Sequence, residues 1–224
     1  MGSFFRYDNA VFRFIGNIGR VWILNLLFLL CCCPVITIGA AETALHYCTI
    51  RLVKNRDYGI FKMFFHSFRE NFVQAGKIWL IMGPVGLLLL WDYWFFKNTI
   101  PEESVLRIPV LFAIGAAVML WVFMFTYVWA VQSYFTDGLR QTMKNALLMS
   151  IRHLHSTIAI LLSDIIAAAA AGVSLKYAPM ISPVLFLLGP AGIVWMNSLM
   201  FVHIFSLYAP EETETEDTEI ENEV

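Results

Sequence analysis

Five apolar runs set the layout of the chain, at about 21–38, 78–96, 108–132, 157–175 and 183–208. Each is long enough for a helix to cross roughly 30 Å of hydrocarbon. The pattern predicts an all-α integral membrane protein, a bundle of about five transmembrane helices in one domain covering residues 1–208. The interval 52–76, LVKNRDYGIFKMFFHSFRENFVQAG, interrupts the pattern with evenly placed charge. Arg51, Lys54, Arg56, Lys62, Arg69 and Lys77 make it the most cationic part of the chain. Phe61, Phe64, Phe65, Phe68 and Phe72 recur at steps of three and four, which predicts one aromatic helix face. Such a helix lies on a membrane surface or docks in a partner's groove. Residues 135–156 return to the same character, with Leu139, Met143, Leu147 and Ile151 on one side and Arg140, Lys144 and Arg152 elsewhere. Both stretches read as short surface helices bending into a span. Arg69-Glu70-Asn71 and Met143-Lys144-Asn145 each lead into an apolar run, a loose likeness that leaves internal duplication open. At the start, residues 3–20 place Arg6, Arg13 and Arg20 at intervals of seven, as on an in-plane helix with its arginines among headgroups.

Inside the runs, a few residues break the apolar pattern. Pro34 falls late in the first run, where it kinks or ends a helix. Residues 39–53 form a further helical piece on which Glu42, His46 and Thr49 share a face, and whether it makes a sixth membrane segment is open. Two ligands are too few for a metal. The Glu42/His46 pair fits a local hydrogen bond, packing against a partner, or an ion site. Ala168 and Gly172 have the small-xxx-small spacing of close helix contact. Asp164 is an ionisable group at depth, costly and by default functional, with an interhelical hydrogen bond as the structural alternative. Gly83-Pro84-Val85-Gly86 and Gly189-Pro190-Ala191-Gly192 form a matched pair of interruptions, the pointer to a transporter site. Each lies near the start of its run, however, so antiparallel helices would put them at opposite faces, and plain kinks are expected.

Composition agrees with a membrane protein. The 224 residues are 59% hydrophobic and 14% charged, against about 45–50% and about 25% for soluble domains. The net charge of -2 is an average over unlike parts: setting the eight tail acids aside from seventeen leaves nine against fifteen basic residues. The tail, 209–224, has no apolar periodicity and is expected to be disordered. Cys31, Cys32 and Cys33 are consecutive in an apolar run and, with Cys48, are expected to be small packing residues or, second, acylation sites. Gly39-Ala40-Ala41 looks like a signal-peptidase site, but the polar-interrupted stretch before the run favours an uncleaved anchor. Counting Lys and Arg by side gives nine against six with residues 55–75, 134–156 and the C-terminal tail in the cytoplasm of a plasma-membrane, multi-pass protein. A sixth segment at 39–53 would bring the N-terminus to that side too.

No phosphate loop, dinucleotide fingerprint, HExxH or GxSxG elbow occurs. The apolar runs hold few polar groups: Asn25, Asp164, Lys176, Asn197 and His203. No catalytic residue, cofactor or metal site is expected, nor nucleic-acid binding, because the basic residues lie at membrane edges.

Two stretches carry a resemblance: NAVFRFIGNIGRVWILNLLFLLCCCPVITIGAAETALHY at 9–47, and RLV followed by YGIFKMFFHSFRENFVQAGKIWL within 51–80. Their PVxTIGA and SFxxNFxQA motifs make the chain resemble the YesL family of Gram-positive bacterial membrane proteins, a domain of unknown function. The resemblance implies an accessory role beside a carbohydrate ABC importer, since genes of that family tend to lie near such importers, their sensor kinases and glycoside hydrolases. On that expectation Lys62, Phe64, Phe68, Arg69, Asn71, Phe72, Lys144 and Asn145 would meet an importer permease or sensor kinase, and the spans would meet membrane lipids. Two alternatives stand beside it: a small transporter or channel using Asp164 and the Gly-Pro breaks, and a lipid-binding protein using Arg6, Arg13 and Arg20.

Overall fold

The computed structural model describes residues 10–56, 59–177, 180 and 182–208. The side chains of Arg6 and Arg13 and the acidic tail lie outside the described residues. Seven α-helices follow in order: α1 (Ala10–Cys31), α2 (Ile38–Val53), α3 (Ile60–Thr99), α4 (Arg107–Tyr134), α5 (Leu139–Arg152), α6 (Leu154–Tyr177) and α7 (Ser182–Phe205). A single 3₁₀ turn, Val35–Thr37, joins α1 to α2. The described residues contain no strand, and the fold is all-helical. By length and composition α3, α4 and α6 can each cross a bilayer, and Gly16–Cys31 and Gly189–Phe205 are shorter apolar helical stretches.

Two surface elements expected from charge are instead continuous with longer apolar helices. The stretch around Arg20 belongs to α1, because nothing between Ala10 and Cys31 is strong enough to stop a helix. The aromatic, cationic stretch is the first half of α3, which runs unbroken for 40 residues, about 60 Å at 1.5 Å per residue. Charge on one side of a helix does not end it; only Pro84 challenges α3, and the helix passes through it. At the other end of the first run α1 stops at Cys31, three residues before Pro34. There the Thr37 hydroxyl sits over the carbonyls of Cys31, where the helix ends, and of Pro34, which also accepts the Thr37 N–H at 3.0 Å.

α2 is the most enclosed helix. Gly39, Ala40, Ala41 and Ala44 give it a small-residue flank, and eleven of its sixteen residues are buried. A Cβ on Gly39 would lie 2.5 Å from the Ala75 carbonyl and 2.9 Å from Trp79 Cβ. The glycine of PVxTIGA therefore touches the alanine of SFxxNFxQA, and the two motifs are halves of one helix contact. The core forms two clusters. Leu24, Leu45, Cys48, Met63 and Phe64 pack α1, α2 and the start of α3. Met82, Tyr127, Ile160, Phe201 and Phe205 pack α3, α4, α6 and α7.

The ends of several helices gather at one end of the bundle. Lys54 Nζ donates to Tyr134 Oη at 2.9 Å, Tyr134 packs on Phe205, and Tyr208 Oη lies 3.0 Å from His153 Nε2. This places the C-terminal ends of α2, α4 and α7 beside the α5–α6 corner.

The five phenylalanines do not share one face. Phe64 is fully buried and Phe68 half-buried, whereas Phe61, Phe65 and Phe72 are 58%, 40% and 40% exposed. The helix is covered by α1 and α2 on one side, so the 3.6-residue period divides the rings between inside and outside. In α5 the buried positions are Thr142, Ala146, Met149 and Ser150, and Ile151 is exposed. That face is rotated from the one expected. Thr142 accepts from Gln74 of α3 and Ser150 bonds the Leu147 carbonyl of its own helix, so both polar groups are satisfied inside, while Leu139 and Met143 still pack against the core.

Candidate functional site

A chamber of about 560 Å³ lies between α2, α4, α6 and α7, with Phe28 of α1 at its edge. Its polar wall is Glu42, His46, Thr126, Asp164 and Asn197. Phe28, Phe125, Trp129, Phe186 and Phe201 supply aromatic surface, and Ala167, Ala168, Ala170 and Ala171 leave the space. Most ligand pockets share this make-up: apolar walls and a few convergent polar groups within roughly 300–1,000 Å³.

Each wall follows from helix geometry. In α2, Glu42 and His46 are one turn apart and face the same way. In α6, Ile160, Asp164, Ala167, Ala168 and Ala171 recur at three and four, so the carboxyl and the alanines share a face. In α7, Gly189, Ile193, Asn197 and Phe201 do the same at steps of four. The alanines of α6 do not make the close helix contact expected from their spacing. Ala168 and Gly172 are exposed, and a Cβ on Gly172 would meet nothing within 4 Å.

Asp164 is held in place. Asn197 Nδ2 donates to its Oδ1 at 2.9 Å, and Ser163 Oγ lies 2.8 Å from Asn197 Oδ1. Glu42 is different: among the described residues no hydrogen bond or ion pair reaches its carboxylate, and its partly exposed side chain lines the chamber. His46 packs edge-on against Phe201, and its Nδ1 is buried without a hydrogen-bond partner, as is Trp129 Nε1. No Lys or Arg lines the chamber. Among the described residues no group of three His, Cys, Asp or Glu side chains is arranged to hold a metal ion.

One of the two Gly-Pro breaks borders this space. Pro190 has no N–H, so the Phe186 carbonyl loses its donor four residues on. Asn25 of α1 fills the gap: its Nδ2 donates to Phe186 O at 3.1 Å, and its Oδ1 accepts from Ala191 N–H at 2.9 Å. The Gly83-Pro84 break lies away from the chamber and serves helix packing. Gly86 sits against Trp121, whose ring a Cβ there would strike, and Trp121 Nε1 donates to Met82 O at 3.0 Å.

The residues expected to meet a partner are scattered by the fold. Phe64 is interior, packed on Phe65 and Phe68, so a partner cannot reach it. Asn71 accepts from Gln132 Nε2 at 2.8 Å, and Gln74 Nε2 donates to Gln132 Oε1 at 2.8 Å and to Asp137 O at 2.7 Å. Asn145 donates to Asp137 Oδ2 at 2.8 Å. These amides clamp α3 to the end of α4 and the start of α5, a role the sequence did not suggest for Gln74 or Gln132. Lys62, Arg69, Phe72 and Lys144 remain exposed, and Phe61, Lys62, Phe65, His66, Arg69 and Glu70 form a shallow outer groove on α3.

At the α5–α6 corner, His153 is held below its ordinary value of 6.5 by burial first, then by Arg152, His155 and His203. Arg152 also lies over the Tyr208 ring, 5.4 Å from its centre.

No curated protein and no solved structure matches the chain. Residues 21–93 match the family described as "Protein of unknown function, DUF624", a stretch that runs from α1 through most of α3 and includes both sequence motifs and Glu42 and His46 of the chamber.

Proposed function

We propose that this protein is a small-solute transporter whose ligand site is the chamber between α2, α4, α6 and α7. One observation carries the reading: Glu42, His46, Asp164 and Asn197 come from three different helices and converge on a space of ligand size inside an apolar bundle. Polar groups at such depth are costly, and a merely structural Asp164 would need only its bond to Asn197. Pro190, inside the continuous α7 at the chamber wall, adds a Gly/Pro interruption of the kind that points to a transporter site. In this reading the chain is a multi-pass protein of the plasma membrane, with residues 55–75, 134–156 and the tail on the cytoplasmic side. The test is solute uptake by purified protein in liposomes. Asp164→Asn keeps the shape and the bond from Asn197, yet flux is expected to fall tenfold or more; unchanged flux in this variant ends the proposal.

A second reading rests on the outer groove of α3. Phe61 and Phe65 flanked by Lys62 and Arg69 offer exposed aromatic area with cationic guides, the composition of interface anchors. This is the surface on which a YesL-like accessory role beside a carbohydrate importer would act. Purification in mild detergent would retain the partner, and a Phe65→Ala/Arg69→Ala variant would release it.

A further inference from the structure

We infer that the chamber takes a small organic monocation, an ammonium compound with an apolar body, and that Glu42 is its counter-ion. The inference rests on the transporter reading and narrows it to one ligand class. Two carboxyl groups, Glu42 and Asp164, face the chamber, and among the described residues no Lys or Arg does. Asp164 already receives the Asn197 amide, whereas Glu42 receives nothing among the described residues. A carboxylate that faces an apolar chamber without a partner is costly, and a cation or a proton that joins it lowers the cost. The chamber supplies room for the former, and its aromatic rings suit one: Phe28, Phe125, Trp129, Phe186 and Phe201 line the same space as the acids, and an ammonium within about 6 Å of a ring centre is attracted to its face.

Other solute classes fit less well. A sugar brings many hydroxyls, each needing a partner when buried. The walls offer Thr126, His46 and the two acids besides an Asn197 amide that is already engaged, so most sugar hydroxyls would face rings and alanines. An amino acid brings a carboxylate, and the walls hold no cation to receive it. An inorganic cation would leave most of the 560 Å³ unfilled and would lack a full set of oxygen ligands.

The experiment uses the full chain in lipid nanodiscs, with quenching of intrinsic tryptophan fluorescence and thermal shift as readouts. The probes are benzyltrimethylammonium, whose charge is permanent, benzyl alcohol as a neutral analogue, phenylalanine as a zwitterion and maltose as a sugar. Benzyltrimethylammonium is expected to bind at least tenfold more tightly than the other three. Glu42→Gln should weaken it tenfold or more, while Ala167→Phe, which fills the chamber, should abolish it. Glu42→Gln removes an unpartnered charge, so its own melting temperature should match or exceed that of the wild type, and folding is checked in the same scan. Equal binding of the ammonium by wild type and Glu42→Gln overturns the inference. Tight binding of maltose, benzyl alcohol or phenylalanine that Ala167→Phe removes, with no preference for the ammonium, overturns the ligand class and leaves the transporter reading standing. Absence of any binding sensitive to Ala167→Phe overturns both.

Discussion

Asn25 shows how much one side chain can decide. It lies fully buried on α1, and from the sequence it is one polar residue among many apolar ones. Its role follows only once α7 lies beside α1, because the group it serves is a carbonyl released by a proline 165 positions away in the chain. The amide carries a donor and an acceptor on separate atoms, so it donates to Phe186 O and accepts from Ala191 N–H at the same time. Asn25→Leu keeps the volume and leaves both backbone groups without partners, at a cost of about 1–3 kcal/mol each. The variant should melt several degrees lower in detergent, and Asn25→Asp, which keeps only the acceptor, should fall between. A melting temperature unchanged in Asn25→Leu would mean that water or lipid headgroups already serve the break. Gly39 teaches the same lesson: PVxTIGA is readable as a motif, but its need for glycine comes from the Ala75 carbonyl on another helix.

At the scale of elements, the apolar periodicity located α1, α3, α4, α6 and α7, and Pro34 marked where α1 ends. What it could not give was the depth of the pieces between. α2 is short and carries Glu42, His46 and Arg51, so from the sequence it reads as a helical piece whose place in or beside the membrane stays open. Its alanines and glycine nevertheless let neighbouring backbones close around it, and its acid and histidine turn to the chamber rather than to water. α3 reads as two elements because its charges stop midway, yet helix continuity depends on the absence of a breaker and not on charge. The α5–α6 corner carries an element-scale prediction. His153 is held below its ordinary 6.5 by burial first, then by Arg152, His155 and His203, with Tyr208 as its hydrogen-bond partner. Its folded value lies below 6.5, so as pH falls past 6.5 the unfolded chain binds the proton first and the folded state loses ground until the lower folded value is passed. Melting curves between pH 8 and pH 5 should therefore show wild type losing stability more steeply than His153→Gln. Parallel curves would mean that the corner opens before the histidine titrates.

At the scale of the whole molecule, the two functional surfaces are separate. The chamber is walled by α2, α4, α6 and α7, while the outer groove of α3 faces away from it and shares none of its residues. Substitutions at such independent sites add within a few tenths of a kcal/mol. The Phe65→Ala/Arg69→Ala variant should consequently lose any co-purifying membrane partner while binding benzyltrimethylammonium as the wild type does. Ala167→Phe should do the reverse, because it fills the chamber and leaves α3 untouched. The crossed result discriminates where either variant alone would not: a chamber ligand and an external partner can belong to one transport complex, and only separate loss shows that each surface acts by itself. If the α3 variant also weakened ammonium binding, the first half of α3 would have to move with the chamber. The amide clamp of Asn71, Gln74 and Gln132 is then the path to examine, since it joins α3 to the end of α4, the helix that carries Thr126 and Trp129 into the chamber wall.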